Sequence, residues 1–357
     1  MEINKILIII RRSNGDVLLS EPLIRELKEK TNAKIDILIN KDTFAIAKTF
    51  PYINNIYTFD YSWKNFKKFI EPIKLFWKIF KKYDLSINLT SNDRDVRYAA
   101  FSATYSISAI ENEIKKNWWK KLLLNKYYYL KEEHIILRNL TPLKFLNLYP
   151  NKIKIKSYYD NILLKHLKSK YHFLKSKFII FHPSAQYEYK IYPKNLRNKL
   201  LNLLNTLNIP IIITGGKSHL DLKIAKEIPN LKNIYNLIGK TTLEEFIALS
   251  DMSIAYIGMD TLNMHIAASQ NKHVFAVFGP TFHKIWSPWS NICKCYAKIN
   301  TKPLTVYKNI YLFQANMKCV PCGKAGCDDK GGKSKCLYNI EPEFIFQKVK
   351  KCLFQSV

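Results

Sequence analysis

Short apolar runs, each ending in a polar or glycine turn that opens a helical pattern, recur through the whole chain. Ile6-Leu-Ile-Ile-Ile10 leads into Arg11-Arg-Ser-Asn-Gly-Asp16. Leu19, Leu23 and Leu27 then step at helical spacing, ahead of Ile35-Asp-Ile-Leu-Ile39. Strand, tight turn, helix and strand make a βαβ unit, which implies a parallel sheet. Ile56–Phe59 and Leu85–Leu89 extend that sheet. The second half repeats the logic with runs at Phe178–Phe181, Ile211–Thr214, Ser253–Ile257 and Val274–Phe278. Helical patterns fill the gaps at Leu196–Leu207, Leu220–Ile228, Leu243–Leu249 and Met264–Ser269. The expected fold is α/β, two Rossmann-like domains facing a cleft. They are expected at 1–165 and 176–340, with a helix over 341–357 packing back. A chain of 357 residues fits two such domains.

Lys and Arg number 57 against 28 Asp and Glu, a net charge of +29. Such a field attracts polyanions: nucleic acid, anionic lipid or a phosphorylated substrate. The longest apolar run near the start, Ile6–Ile10, is far short of the roughly 18–20 residues that span a bilayer. Arg11 and Arg12 also interrupt it too early for a leader peptide. A cytosolic protein is therefore expected.

Two basic-aromatic stretches lie between the sheet elements. Phe66, Phe69, Ile70, Ile73, Phe76, Trp77 and Phe80 form one apolar helical face, with Lys67, Lys68, Lys74, Lys78, Lys81 and Lys82 among them. This pattern reads either as a sheet-covering helix with a solvated Lys face or as a contact with an anionic membrane. The stretch Lys115–Lys131, with Trp118, Trp119 and Tyr127–Tyr129, leaves the same two readings open and fits a packed helix less well.

Several segments carry candidate chemistry. Gly15 and Asp16 lie where the first strand turns into the first helix, and ligands of open α/β sheets bind at strand carboxyl ends. Asp16 there either accepts a proton from an attacking hydroxyl or caps a helix beginning near Val17. His182-Pro-Ser184 ends a strand ahead of Lys190, which either neutralises a phosphate or is a solvated surface Lys. Gly258-Met-Asp-Thr-Leu-Asn-Met-His265 turns a strand into a helix whose N-terminal N–H groups suit a diphosphate. Asp260 and Thr261 are helix caps or partners of a sugar hydroxyl. Gly279-Pro280-Thr281 and Trp286-Ser-Pro-Trp289 follow the next strand. Thr214-Gly215-Gly216-Lys217 is a nucleotide-type turn that lacks the full dinucleotide fingerprint.

Asp93-Arg-Asp95 has the spacing of a metal-binding carboxylate pair and reads as a chance match. Cys319, Cys322, Cys327 and Cys336 crowd together near the C-terminus. Four thiolates can close a structural zinc site, yet their spacing fits no common zinc ribbon or ferredoxin pattern. A structural metal and free or partly paired thiols both stay open.

Together and in order, these segments resemble glycosyltransferase family 9, the heptosyltransferases of lipopolysaccharide core assembly. The resemblance rests on Lys5-Ile-Leu-Ile…Gly15-Asp16…Pro22, His182-Pro…Lys190-x-x-Pro193, Leu237-Ile-Gly-Lys-Thr-Thr-Leu243, Asp260-Thr…Met264-His265-x-Ala267-Ala268 and Phe278-Gly-Pro-Thr281…Trp286. Trp286-Ser-Pro-Trp289 and Cys319-Val-Pro-Cys-Gly-Lys-Ala-Gly-Cys327 are most similar to its heptosyltransferase III branch. The resemblance implies a GT-B fold with an acceptor domain first and a nucleotide-sugar domain second. It implies an inverting transfer from ADP-heptose to a phosphorylated lipid A-core acceptor, with no required metal or other cofactor. Asp16 then matches the general base and Lys190 the phosphate-neutralising group. Gly15, Ser184, Gly215, Gly216, Asp260, Thr261, Leu262, Asn263, Met264, His265, Gly279, Pro280 and Thr281 match the donor site. Many members have Gly where this chain has Leu262, and that bulk narrows the diphosphate site. A cytoplasmic enzyme, peripheral on the inner membrane, is expected. Competing readings are another nucleotide sugar or another glycan acceptor, a capsule or glycoprotein chain. A nucleic-acid-binding protein rests on charge alone and lacks a recognition motif. A dehydrogenase lacks its fingerprint.

Overall fold

The computed structural model describes residues 2–150 and 152–354. The chain divides into two compact units, Met1–Ile155 and Lys156–Val357, so the division falls ahead of residue 165. Both units are α/β.

The first unit holds a six-stranded parallel sheet: β1 (Lys5–Ile10), β2 (Lys34–Asn40), β3 (Ile53–Phe59), β4 (Tyr83–Asn88), β5 (Ala103–Ile110) and β6 (Lys126–Tyr129). Their spatial order is β3-β2-β1-β4-β5-β6. β1 lies in the middle, Ile8 pairing with Ile37 on one side and Ile87 on the other. Its isoleucines are buried on both faces, which is why a central parallel strand reads as a continuous apolar run. The order reverses between β1 and β4, so the ligand crevice of this sheet opens at their carboxyl ends.

The helix after β1 begins at Asn14, earlier than Val17, and stops at Leu18. A second helix, Glu21–Thr31, carries Pro22 in its first turn, where the missing N–H costs nothing. Asn32 closes it in the left-handed conformation.

The helix Lys67–Ile79 covers the sheet, packing Leu75, Ile79 and Phe76 with Leu7, Ile9 and Leu38, but by a different stripe from the one its periodicity marked. It buries Leu75 and Ile79 and turns Phe66, Phe69, Ile73 and Trp77 outward. The stretch Lys115–Lys131 is a helix, Ile114–Leu123, followed by β6. The side chains of Lys115 and Lys116 lie outside the described residues.

The second unit has seven strands: β7 (Ile179–His182), β8 (Ile211–Ile213), β9 (Ile234–Asn236), β10 (Ala255–Met259), β11 (His273–Phe278), β12 (Leu304–Tyr307) and β13 (Ile310–Gln314). The order β12-β13-β11-β10-β7-β8-β9 repeats the first unit's plan, with β12 added antiparallel at one edge. Here the order reverses between β7 and β10. The last helix, Pro342–Phe354, buries Ile345 and Val349 in this unit's core and packs on the helix Lys194–Asn205. Lys199 and Glu343 pair across that contact.

Candidate active site

In the first unit, the carboxyl end of β1 carries Ser13 and Asp16. Ser13 is the N-cap of the helix Asn14–Leu18 and Asp16 is its third residue. The Ser13 N–H and Oγ donate to Asp16 Oδ2 at 3.3 and 2.6 Å. Asp16 Oδ1 faces the Arg12 guanidinium at 3.3 Å and accepts no hydrogen bond among the described residues. One Asp16 oxygen closes the helix start, as the cap reading expects, and the other is turned to Arg12. Gly15 has only Ser13 Oγ near its Cβ direction, at 3.9 Å. Arg138 adds a second guanidinium within electrostatic reach of Asp16, held below its usual range by burial and by Arg12.

The carboxyl end of β4 holds a buried polar cluster. Arg11 pairs with Asp95, and Thr90 Oγ1 donates to Asp95 at 2.6 Å. Asn92 caps the helix Asp93–Ser102 by accepting from the Asp95 N–H. Asp93 instead pairs with Lys120 at 2.9 Å. The two carboxylates therefore serve different cations, as the chance-match reading requires. Lys120 is buried and donates to Ser91 O, so it forms no part of a solvated basic face.

In the second unit, β7 and β10 bring most of the expected donor residues together. Lys190 Nζ donates to Asp260 Oδ2 at 2.8 Å. Burial alone would raise the Asp260 carboxyl. The Lys190 ammonium, aided by His265 and a hydrogen bond from Thr281, outweighs it and holds the carboxyl below its usual value. Burial would likewise lower Lys190, and Asp260 reverses that. Lys190 is thus no loose surface residue. Gly258 is required by space, since a Cβ there would stand 2.5 Å from the His182 carbonyl oxygen.

Thr261 begins the helix Leu262–Ser269 in extended conformation, and its side chain makes no capping bond. The first N–H groups of that helix are therefore not capped by the side chain before it, which suits an anion. Leu262 is half-buried at the first position, whereas Met264 and His265 point into the core. Asn263 Nδ2 meets the ring of His182, 2.9 Å from Nδ1. Thr214 Oγ1 lies 3.0 Å from the same nitrogen. Burial pushes that imidazole down to about 4, so it is neutral.

The glycine turn holds a carboxylate of the chain itself. Ser184 donates to Asp221 Oδ1, and Ser218 N–H donates to Asp221 Oδ2 at 3.0 Å. Burial would raise this carboxyl, but the Ser184, Ser218 and Gly216 hydrogen bonds hold it low. A Cβ on Gly216 would stand 2.9 Å from Asp221 Oδ2. Gly215 and Gly216 thus wrap the chain's own carboxylate. Asp221, three residues after Ser218 in a capping box, was the available sequence signal for this contact.

At the end of β11, Gln314 Nε2 donates to the carbonyls of Gly279 and Thr281 at 2.7 and 3.0 Å, and the Gly323 N–H donates to that of Pro280. Thr281 reaches Asp260. His283, absent from the sequence-derived site, is buried within electrostatic reach of Asp260 and edge-on to Phe278 at 4.5 Å. Burial pushes it down to about 4, and neither ring nitrogen has a hydrogen-bond partner among the described residues. No motif marks it.

Cys319, Cys322 and Cys327 are exposed and Cys336 is buried, its thiol pushed up to about 11 by burial. Among the described residues, no three His, Cys, Asp or Glu groups are placed to hold a metal ion. Cys322 and Cys327 lie within electrostatic reach of Cys336. Cys293 and Cys295 form a disulfide.

Comparison with known proteins places these features in a lineage. The model of the family described as glycosyltransferase family 9 (heptosyltransferase) matches residues 93–312. Lipopolysaccharide heptosyltransferase 3 of Escherichia coli (strain K12) is 30% identical over 302 residues, covering 80% of this chain and 86% of that protein. A family 9 glycosyl transferase from Veillonella parvula superposes with a TM-score of 0.75 at 18% identity, covering 100% and 99% of the two chains. The E. coli ADP-heptose lps heptosyltransferase II superposes with a TM-score of 0.73 at 17% identity, covering 98% and 99%.

Proposed function

The chain belongs to glycosyltransferase family 9, and from that premise we propose that it transfers heptose from ADP-heptose to the inner core of lipopolysaccharide or lipooligosaccharide. The acceptor in this reading is a phosphorylated lipid A-core glycolipid. The observation that carries the reading is the partly buried Lys190–Asp260 pair, beside a helix start that the Thr261 side chain does not cap.

The chemistry follows from named groups. Asp16 Oδ1 takes the proton of an acceptor hydroxyl as its oxygen attacks the anomeric carbon from the face opposite the nucleotide. The configuration inverts, and the bond to the diphosphate oxygen breaks. Charge then grows on the departing ADP. Lys190 and the N–H groups near Thr261–Met264 stabilise it, in place of a divalent cation. Asp260, relieved of part of its pairing with Lys190, accepts a hydrogen bond from a sugar hydroxyl. Arg12 and Arg138 beside Asp16 favour an acceptor carrying phosphates. Among the described residues no helix is long and apolar enough to cross a membrane. The enzyme works as a peripheral protein on the cytoplasmic face of the inner membrane, drawn there by its positive charge.

The test is direct. Purified protein, ADP-heptose and a heptose-deficient core acceptor should yield one added heptose by mass, with inverted linkage. ADP-heptose consumed only with another glycan acceptor would support the competing acceptor reading, and no transfer from ADP-heptose would remove the donor assignment.

A further inference from the structure

The outward face of the helix Lys67–Ile79 is the least expected surface of the first unit. Phe66, Phe69, Ile73 and Trp77 are 73%, 68%, 56% and 62% exposed, and they line up at spacings of three and four. Soluble surfaces scatter such residues singly, whereas a contiguous stripe marks a binding surface. Lys67, Lys68 and Lys78 flank it, all exposed.

Between this helix and the helix Asp93–Ser102 lies a cavity of about 370 Å³. Pro72, Ile73 and Phe76 form one wall; Tyr98 and Phe101 form the other. Tyr98 donates its hydroxyl to Pro72 O at 3.2 Å, so the polar end of that ring is satisfied by backbone. Arg94 and Arg97 complete the lining. Both are exposed and stack on aromatic rings, Arg94 on Phe59 at 4.9 Å and Arg97 on Trp119 at 5.2 Å. Among the described residues neither guanidinium has a carboxylate within ion-pair distance. An apolar slot with two unpaired guanidinium groups matches a molecule with a hydrocarbon tail and a phosphate.

We propose that this cavity binds one acyl chain of an anionic glycerophospholipid, with its phosphate on Arg94 and Arg97, while Phe66, Phe69 and Trp77 enter the surrounding bilayer interface. This deepens the peripheral-membrane reading above and needs nothing from the donor chemistry. A nearby Lys stripe adds attraction that decays within about 8–10 Å. The aromatic stripe adds a contact that salt does not screen.

The experiment uses the full chain and monomeric dihexanoyl-phosphatidylglycerol, followed by calorimetry. Saturable one-to-one binding is expected, at least tenfold tighter than dihexanoyl-phosphatidylcholine or glycerophosphoglycerol, which lacks the acyl chains. Ile73→Glu places a carboxylate at the exposed wall, and Arg94→Gln with Arg97→Gln removes both charges. Each should weaken binding at least tenfold with an unchanged circular dichroism spectrum. Phosphatidylglycerol vesicles should also shift the tryptophan emission to the blue, and Trp77→Ser should reduce that shift. Equal binding of the headgroup alone, equal binding of the zwitterionic lipid, or unchanged binding by both variants would overturn the proposal. Transfer to a deacylated, water-soluble acceptor separates the two readings. Transfer without lipid binding overturns this inference alone; lipid binding without transfer overturns the heptosyl reading alone.

Discussion

Lys190 Nζ and Asp260 Oδ2 stand 2.8 Å apart, with side-chain exposures of 24% and 7%. Each ion is the reason the other stays charged in a partly dry site. Lys190→Ala should lower kcat/KM for the donor by about 10²–10³, the usual effect of losing one transition-state charge partner. The acceptor KM should hold. The lone variant should also melt earlier, because it strands a buried carboxylate. Adding Asp260→Asn should restore the melting temperature and leave activity low. A change confined to acceptor affinity would remove Lys190 from the donor site.

Asp16→Asn should retain the fold and donor binding, since an amide oxygen still accepts from Ser13. It should lose about 10²–10⁴ in transfer rate, because an amide takes no proton. Single-turnover transfer alongside ADP binding measures both. Near-normal turnover would leave Asp16 with its helix-closing role only.

The two buried imidazoles set an acid limit on stability. His182 and His283 both fall from 6.5 to about 4 in the folded chain. The unfolded chain therefore takes up their protons first. Their contribution is fully present above pH 6.5 and is lost as pH falls toward 4. Melting temperatures across pH 7 to 4.5 should fall, and His283→Phe should flatten that fall. Parallel curves for the two proteins would assign the acid sensitivity elsewhere.

Gly258→Ala tests the contact between β7 and β10. The added methyl meets a backbone oxygen, which cannot swing aside as a side chain can. A loss of about 1–3 kcal/mol is expected, read from urea unfolding. An unchanged midpoint would show that the two strands part easily.

In the proposed mechanism Lys190 and a helix N-terminus take the place of a divalent cation, so activity should survive EDTA. Loss of activity restored by Mg²⁺ or Mn²⁺ would return attention to Asp93 and Asp95. A melting curve run alongside separates catalysis from any effect at the Cys segment.

Most parallel strands were legible as short runs, but β13 was missed although Ile310, Leu312 and Phe313 are buried. β1, β2, β4, β7, β8, β10 and β11 all read as apolar runs. β5 was missed because Ser106 and Ser108 interrupt Ala103–Ile110; the fold buries both and satisfies them with Asn125 and Asn88. β6 hid among lysines and tyrosines. On the helix Lys67–Ile79, periodicity located a face correctly and misjudged its direction. Leu75 and Ile79 reach the core with Phe76 packed beside them, and spacing cannot say which of two neighbouring stripes the sheet will cover. At the donor site, Lys190, Asp260 and Thr261 stood in recognisable motifs. His283 did not, because its burial comes from Phe278 and a loop fold that no local pattern encodes.

Asp221 has one more consequence. By lodging its carboxylate in the Gly215-Gly216 turn after β8, the chain fills from within a glycine turn that could otherwise approach a phosphate. A dinucleotide arriving there would have to evict a tethered competitor held by Ser184 and Ser218. The Gly215-Gly216 turn is thus already tenanted, and in the proposed reading a diphosphate is left to the helix start after β10.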